Sequence, residues 1–120
     1  MAYTIELKTV TDSRGSLTII EKVLPLEIKR VYFVYNVPRD ASRGGHGHRR
    51  SKSALVCQKG SCIVKVNSPG EELFVLDRPD LCLVILPPEW HEITDFAEGT
   101  VLLVLSSEYY DPTDYSCEKP

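Results

Sequence analysis

Arg43-Gly44-Gly45-His46-Gly47-His48-Arg49-Arg50-Ser51-Lys52 is the stretch on which the reading of this chain turns. It gathers two of the three histidines, at spacing i, i+2, behind a glycine pair and among four basic side chains. If the run enters a β-strand, alternation sends His46 and His48 to the same face with Cα atoms roughly 6.6 Å apart. At that separation two imidazoles can work on one small molecule. Gly47 leaves the opposite face bare, so neighbouring backbone can come close. Gly44 and Gly45 permit a bend that would strain other residues.

The period of two extends outward in both directions. Toward the N-terminus, residues 3–9 and 17–22 flank the turn cluster Asp12-Ser13-Arg14-Gly15-Ser16 and read as a hairpin, and Pro25 interrupts the pattern. Residues 28–37 are the clearest strand. Lys29, Val31, Phe33, Tyr35 and Val37 lie on one face and Ile28, Arg30, Tyr32, Val34 and Asn36 on the other, large on both as expected between two layers. Residues 38–45 form a polar loop that delivers the chain into the histidine stretch.

Beyond that stretch, strands are expected over 53–59, 62–67, 72–76, 81–86, a short run ending at Asp95, and 100–106. Asn67-Ser68-Pro69-Gly70 and Asp77-Arg78-Pro79-Asp80 are turn signals, and Pro87-Pro88 stops the apolar run 81–86. No segment of helical length shows a 3.6-residue period. About nine short strands with frequent turns predict an all-β chain, one domain over residues 1–120, folded as an antiparallel β-sandwich or jelly-roll barrel.

Composition narrows the function. Fourteen Lys and Arg against 17 Asp and Glu leave a net charge of −3, which argues against a nucleic-acid or acidic-membrane partner. Basic side chains are instead concentrated between Arg39 and Lys52, which suits a small anionic ligand. Cys57, Cys62, Cys82 and Cys117 show no zinc spacing, and the N-terminus has neither a basic nor an apolar leader pattern. A cytoplasmic protein with reduced thiols is expected, with Cys57, Cys62 and Cys82 as small core residues. No apolar run approaches the ~20 residues of a membrane span.

The third histidine, His91, follows Pro87-Pro88 and Trp90. In a β-barrel, an H-x-H strand and a later histidine can meet in the cavity, and three imidazoles can bind a metal. Against a metal, His48 is followed by Arg49, Arg50, Ser51 and Lys52, and that positive charge disfavours a divalent ion. His91 could equally be a barrel residue that holds Trp90 in place. Arg30 faces either a pocket or solvent. Arg43, Arg49, Arg50 and Lys52, as a cluster beside two histidines, fit a phosphate or diphosphate. Trp90 and the tail tyrosines Tyr109, Tyr110 and Tyr115 are core packing or stacking surfaces for a base or sugar ring. The aromatic, acidic tail over 108–115 is expected to lie across the body of the domain or across a partner subunit. There is no P-loop, no dinucleotide fingerprint and no nucleophile elbow.

Six segments together resemble one family: Ser13-Arg14-Gly15-Ser16-Leu17, Ile28-Lys29-Arg30-Val31-Tyr32, Arg43-Gly44-Gly45-His46-Gly47-His48, Leu76-Asp77-Arg78-Pro79, Trp90-His91-Glu92 and Ser107-Glu108-Tyr109-Tyr110-Asp111. The chain is similar along essentially its whole length to the small cupins that are dTDP-sugar 3,4-ketoisomerases. Gly47 stands where alanine is common in that family. The resemblance implies a dTDP-linked 4-keto-6-deoxyglucose as substrate and a 3-keto-6-deoxyhexose as product, for the supply of unusual deoxysugars. It further implies no metal or other cofactor, and a homodimer that exchanges its N-terminal strands.

Moving a carbonyl from C4 to C3 requires loss of the C3 proton, an enediolate, movement of a hydroxyl proton between the two oxygens, and protonation of C4. Two imidazoles serve as acid and base near neutral pH, and a further polar group must steady the oxyanion. On the positions matching the family motif, His48 is the expected base and His46 the proton donor or shuttle. Arg30 or Tyr35 would contact the enediolate. These two face opposite sides of one regular strand, so only one can reach the sugar, and Arg30 sits in the family-like motif. Arg43 and Lys52 are candidates for the diphosphate, and Trp90, His91 and Tyr109 for the rest of the substrate. Two other classes stay open: a metal-dependent cupin dioxygenase or sugar epimerase, and a sugar-nucleotide-binding module without catalysis. The configuration at C4 of the product, galacto or gluco, is also open.

Overall fold

The structure is a computed structural model that describes residues 1–67 and 69–117. Two antiparallel five-stranded sheets face each other. The first runs, edge to edge, β1 (Tyr3–Glu6), β9 (Leu81–Ile85), β6 (Ser53–Lys59), β11 (Val101–Ser106) and β4 (Arg30–Tyr35). The second runs β12 (Tyr115–Ser116), β5 (Arg43–His48), β10 (Trp90–Thr94), β7 (Cys62–Asn67) and β8 (Glu71–Leu76). A separate hairpin, β2 (Lys8–Asp12) with β3 (Gly15–Ile19), belongs to neither. This is the all-β, cupin-type sandwich expected from the period of two.

Leu55, Leu83, Leu102, Val104, Val64 and Phe96 belong to the core between the sheets, with Cys57 and Cys62 buried among them. On the outer face of the first sheet, Ala54, Val56, Cys82 and Leu105 form a second apolar layer, covered by Ile20, Leu24 and Leu26 from the segment around Pro25. That double burial explains why 53–57 and 81–85 read as near-continuous apolar runs. Cys57, Cys62 and Cys82 are buried free thiols, and Cys117 is an exposed one. Among the described residues no helix is long and apolar enough to cross a membrane.

Three expectations about the strands change. The strand expected over 3–9 is broken at Leu7, because its partner β9 begins at Leu81, and the Leu7 amide makes the last bond, to the Asp80 carbonyl at 2.7 Å. The strand expected over 28–37 is shorter, and Asn36 at φ 58° ends it. Its two faces are not both covered. Arg30, Tyr32 and Val34 turn inward, whereas Val31, Phe33 and Tyr35 are 55%, 59% and 57% exposed, because β4 is an edge strand that the covering segment does not reach. The turn signal at 67–70 connects β7 to β8, with Asn67 paired to Glu71; its Ser68 lies outside the described residues.

Candidate active site

The histidine stretch becomes β5, paired with β10 on one side and β12 on the other. His46 sits opposite His91, and Trp90 opposite Gly47. The register slips by one between His91 and Glu92, so that Glu92 faces Gly44 and Gly45 is the extra residue of a bulge. Gly44 at φ +86° and Gly45 at φ +77° supply the left-handed backbone this bulge needs. Gly44 also has no room for a side chain: a Cβ there would stand 3.0 Å from the His91 carbonyl oxygen and 3.3 Å from the His91 ring. Gly47 lets the Pro88 and Glu89 carbonyls come within 3.0 Å of where a Cβ would lie.

Between the sheets a cavity of about 330 Å³ opens above the core. His46, His48 and His91 line it, with Arg43 beside them on β5 and Arg30, Tyr32 and Val34 entering from β4. Tyr115 closes the remaining side. The three imidazoles form a compact cluster. The centroid of His46 is 5.1 Å from those of both His48 and His91, and His48 and His91 are 6.1 Å apart. The Tyr115 ring sits 4.7 Å from both His46 and His48.

These rings differ in their surroundings. His91 is 7% exposed, and its Nδ1 has no hydrogen-bond partner among the described residues. Burial, with the neighbouring His46 and His48, pushes its pKa down to about 3, so it is a neutral imidazole at physiological pH. Burial and then His48 also lower His46, against the opposing effect of a hydrogen bond with the Gly44 backbone. His48 differs from both: its Nδ1 lies 3.0 Å from Oδ2 of Asp114.

Asp114 arrives on the tail. Asp111 caps a 3-10 turn, η1 (Pro112–Asp114), by accepting from the Thr113 amide, and β12 then pairs Tyr115 with His48. Arg49 and Arg50 fasten this segment to the end of β5. The Arg49 amide donates to the Asp114 carbonyl at 2.7 Å, and the Arg50 guanidinium pairs with Asp111 at 2.7 Å. Asp114 itself is 2% exposed and accepts from Ser51 Oγ at 2.5 Å and from the Arg50 amide at 2.6 Å. Burial alone would raise its pKa, but the hydrogen bonds from Ser51, the Arg50 amide and His48 outweigh burial and hold the carboxyl at about 2.

On β4, the Arg30 guanidinium stands 4.5 Å from the centre of the Tyr32 ring and 5.3 Å from that of Tyr110. Burial raises the Tyr32 phenol, as does Tyr115, while Arg30 and Arg43 pull it the other way. Tyr32 is therefore protonated at neutral pH and able to donate.

The structure thus brings His46, His48, His91, Arg30 and Arg43 to one cavity. It does not bring the other sequence candidates there. Tyr35 lies on the outer face, stacked 5.7 Å from Phe33, because it is an odd number of residues from Arg30 on an unbulged strand. Lys52 is past the end of β5 and directs its ammonium to the Pro25 carbonyl at 3.3 Å. Trp90 is buried and does not line the cavity, since alternation on β10 turns it away from the face of His91. Tyr109 is 72% exposed, near Lys29 and outside the cavity. Tyr32 and Asp114 escaped the sequence reading as site residues, and Tyr115 entered it only among the tail tyrosines read as core packing or stacking surfaces. Tyr32 shares the Arg30 face, and that alternation was signal enough. For Asp114 and Tyr115 the available signal was Asp111-Pro112, a capped turn before a short extended pair.

Among the described residues, no group of three or more His, Cys, Asp and Glu side chains has the geometry to hold a metal ion.

Comparisons with known proteins agree on one family. The model of the family described as FdtA: WxcM-like, C-terminal matches residues 2–119. The chain is 43% identical over 115 residues to the TDP-4-oxo-6-deoxy-alpha-D-glucose-3,4-oxoisomerase of Aneurinibacillus thermoaerophilus, covering 92% of this chain and 82% of that protein. A solved mutant of the 3,4-ketoisomerase QdtA from Thermoanaerobacterium thermosaccharolyticum, in complex with TDP-4-keto-6-deoxyglucose, superposes with a TM-score of 0.93 at 41% identity, covering 98% of this chain and 87% of that one. The WlaRB TDP-quinovose 3,4-ketoisomerase of Campylobacter jejuni gives 0.93 at 36% identity, covering 98% and 92%. With residues 2–119 matched by the family model and a relative 43% identical over 92% of this chain and 82% of its own, the chain belongs to the FdtA family.

Proposed function

We propose that this protein is a dTDP-4-keto-6-deoxyglucose 3,4-ketoisomerase, one domain that carries the whole reaction without a metal or organic cofactor. The observation that carries this reading is the convergence of three imidazoles and two guanidinium groups on one cavity. Relatives whose names state this reaction support it.

The isomerisation leaves the formula of the sugar unchanged. A base removes the proton on C3, and the electron pair of that bond forms C3=C4 while the C4 carbonyl electrons move to O4. The O3 proton passes to O4, and protonation of the enediolate on C4 then restores a carbonyl at C3. In this reading His48 takes the C3 proton and His46 delivers or relays one to the other carbon. Neutral imidazoles suit this exchange because the ring can accept a proton at a free nitrogen and return it. Arg30 and the protonated Tyr32 face the same space and supply positive charge and a donor to the enediolate oxygens. Arg43 takes the diphosphate.

A homodimer with exchanged N-terminal strands belongs to the same proposal. The β2–β3 hairpin belongs to neither sheet and leaves Val10 46% and Leu17 61% exposed, and Val31, Phe33 and Tyr35 form an uncovered strip on β4. Both features suit a second copy of the chain. The cytoplasm is the proposed location, where the buried cysteines stay as thiols.

The test is a proton NMR time course of the purified protein with dTDP-4-keto-6-deoxyglucose in deuterated buffer containing EDTA. New 3-keto signals with deuterium at C4 are expected, and their coupling constants assign the configuration at C4. Binding without exchange at C3 would instead make the protein a sugar-nucleotide-binding module. Turnover that appears only when one metal is restored would make it a metal enzyme.

A further inference from the structure

We infer that Tyr110 is a positioning residue for the isomerisation: its ring, with that of Tyr32, fixes the Arg30 guanidinium at the cavity through aromatic contact and leaves the N–H donors for the substrate. The inference rests on the ketoisomerase reading and brings in a tail residue that does not itself line the cavity.

A free arginine side chain samples many rotamers, so a guanidinium that is to meet a developing charge has to be fixed in advance. The usual partner is a carboxylate, which occupies N–H donors and offsets the positive charge. Among the described residues Arg30 has no such partner: its side chain makes neither an ion pair nor a hydrogen bond. Its guanidinium carbon instead stands over two rings, 4.5 Å from the centre of Tyr32 and 5.3 Å from that of Tyr110, both within cation–π range. The whole donor fork and its charge are therefore unspent, on a residue that lines the cavity.

Tyr32 shares β4 with Arg30, whereas Tyr110 comes from the tail and needs its own anchor. The tail is tied down on both sides of it. The Ser107 amide donates to the Lys52 carbonyl at 3.0 Å, and Asp111 receives the Arg50 guanidinium at 2.7 Å. The Tyr110 ring also lies 6.0 Å from that of Tyr115, which closes the cavity. Tyr110 is largely exposed, so burial does not account for its placement. Its neighbour Tyr109 supplies the contrast. That ring is also exposed and also meets a cation, Lys29 at 5.9 Å, but this pair falls outside the cavity.

The experiment is a double-mutant cycle on the full chain with dTDP-4-keto-6-deoxyglucose. Tyr110→Ala is expected to lower kcat about 10-fold and Arg30→Ala about 100-fold or more. The double variant should match Arg30→Ala within roughly twofold, because a residue that acts through Arg30 has nothing left to position. Tyr110→Phe keeps the ring and is expected to recover most of kcat. Tyr109→Ala removes an equally exposed ring from the same tail and is expected to leave kcat unchanged. Placement is read separately from turnover, in protein labelled with 13C and 15N at arginine. The Arg30 side-chain protons, assigned by their absence from Arg30→Ala, are expected upfield of those of exposed arginines in the wild type and in Tyr110→Phe. In Tyr110→Ala they should move downfield.

Equal loss of kcat from Tyr110→Ala in both backgrounds would mean that Tyr110 acts on the substrate directly, and would overturn the inference. The same loss in Tyr109→Ala as in Tyr110→Ala would overturn it in favour of a general loosening of the tail. Arg30 protons that ignore Tyr110→Ala would overturn it whatever the kinetics. A wild type whose Arg30 protons respond to Tyr110 but which does not isomerise the sugar refutes the ketoisomerase reading, and with it the catalytic use of a contact that the shifts still show.

Discussion

His46 and His91 stand directly opposite each other on neighbouring strands, with ring centroids 5.1 Å apart. A cross-strand pair at this distance cannot hold two positive charges cheaply in a half-closed cavity, and the pair is accordingly neutral at physiological pH.

The first prediction concerns acid stability. His91 titrates at about 3 when folded and at 6.5 when unfolded, so below 6.5 the unfolded chain binds a proton that the folded one refuses. Stability is full above that pH and declines as pH falls, by roughly 3 kcal/mol by about pH 4. Asp114 adds to the loss only lower down, between 3.8 and about 2, as its carboxylate is protonated. Urea unfolding across this range is expected to show the decline in the wild type and a much flatter curve for His91→Gln. Parallel curves for the two proteins would remove His91 as the cause.

Exchange of the C3 proton is expected to separate from binding. His48→Asn and His46→Asn should each reduce kcat about 100-fold or more, while dTDP affinity and melting temperature change little. Single-turnover kinetics and calorimetry measure the two quantities separately. A His48→Asn protein with wild-type kcat would exclude His48 as the base.

Adjacent glycines should behave differently. Both Gly44 and Gly45 have positive φ, so alanine at either carries a backbone penalty of about 1–2 kcal/mol. Only at Gly44 does the new Cβ also press on the His91 carbonyl and ring; at Gly45 nothing lies within 4 Å. Gly44→Ala is expected to lose more stability and to impair turnover by displacing His91. Gly45→Ala should lose stability with turnover largely kept. Denaturant melts with kcat for each variant provide the check.

The exposed strip on β4 gives a prediction about assembly. Phe33→Glu places a charge between Val31 and Tyr35 on an outward face, where it disturbs no core packing within the chain. Sedimentation velocity is expected to show a dimer for the wild type and a shift to monomer for the variant. A variant that sediments like the wild type would place the interface elsewhere.

How much of this was legible beforehand depended on the range of the interaction. Alternation is local, so it placed His46 with His48 and Arg30 with Tyr32, and it separated Tyr35 from Arg30. The end of β1 was not legible, because it is set by where β9 starts, some 75 residues later. The exposed face of β4 was hidden for the same reason: large apolar side chains look alike in sequence whether a neighbouring layer or a second subunit covers them. Lys52 was grouped with the cavity through proximity in sequence, but β5 ends at His48, and the chain has turned away by residue 52. Asp114 and His48 meet across a separation of 66 residues, which no spacing rule reaches.

No described residue of either apolar cluster lies beyond Leu105, whereas Tyr115 reaches the cavity and Asp114 reaches His48 on a strap that pairs with β5 through two residues. Inheritance can therefore alter the groups around His46 and His48 by changing a few codons of this strap, with the sandwich left as it was. A scaffold arranged in this way can diversify its chemistry faster than its architecture.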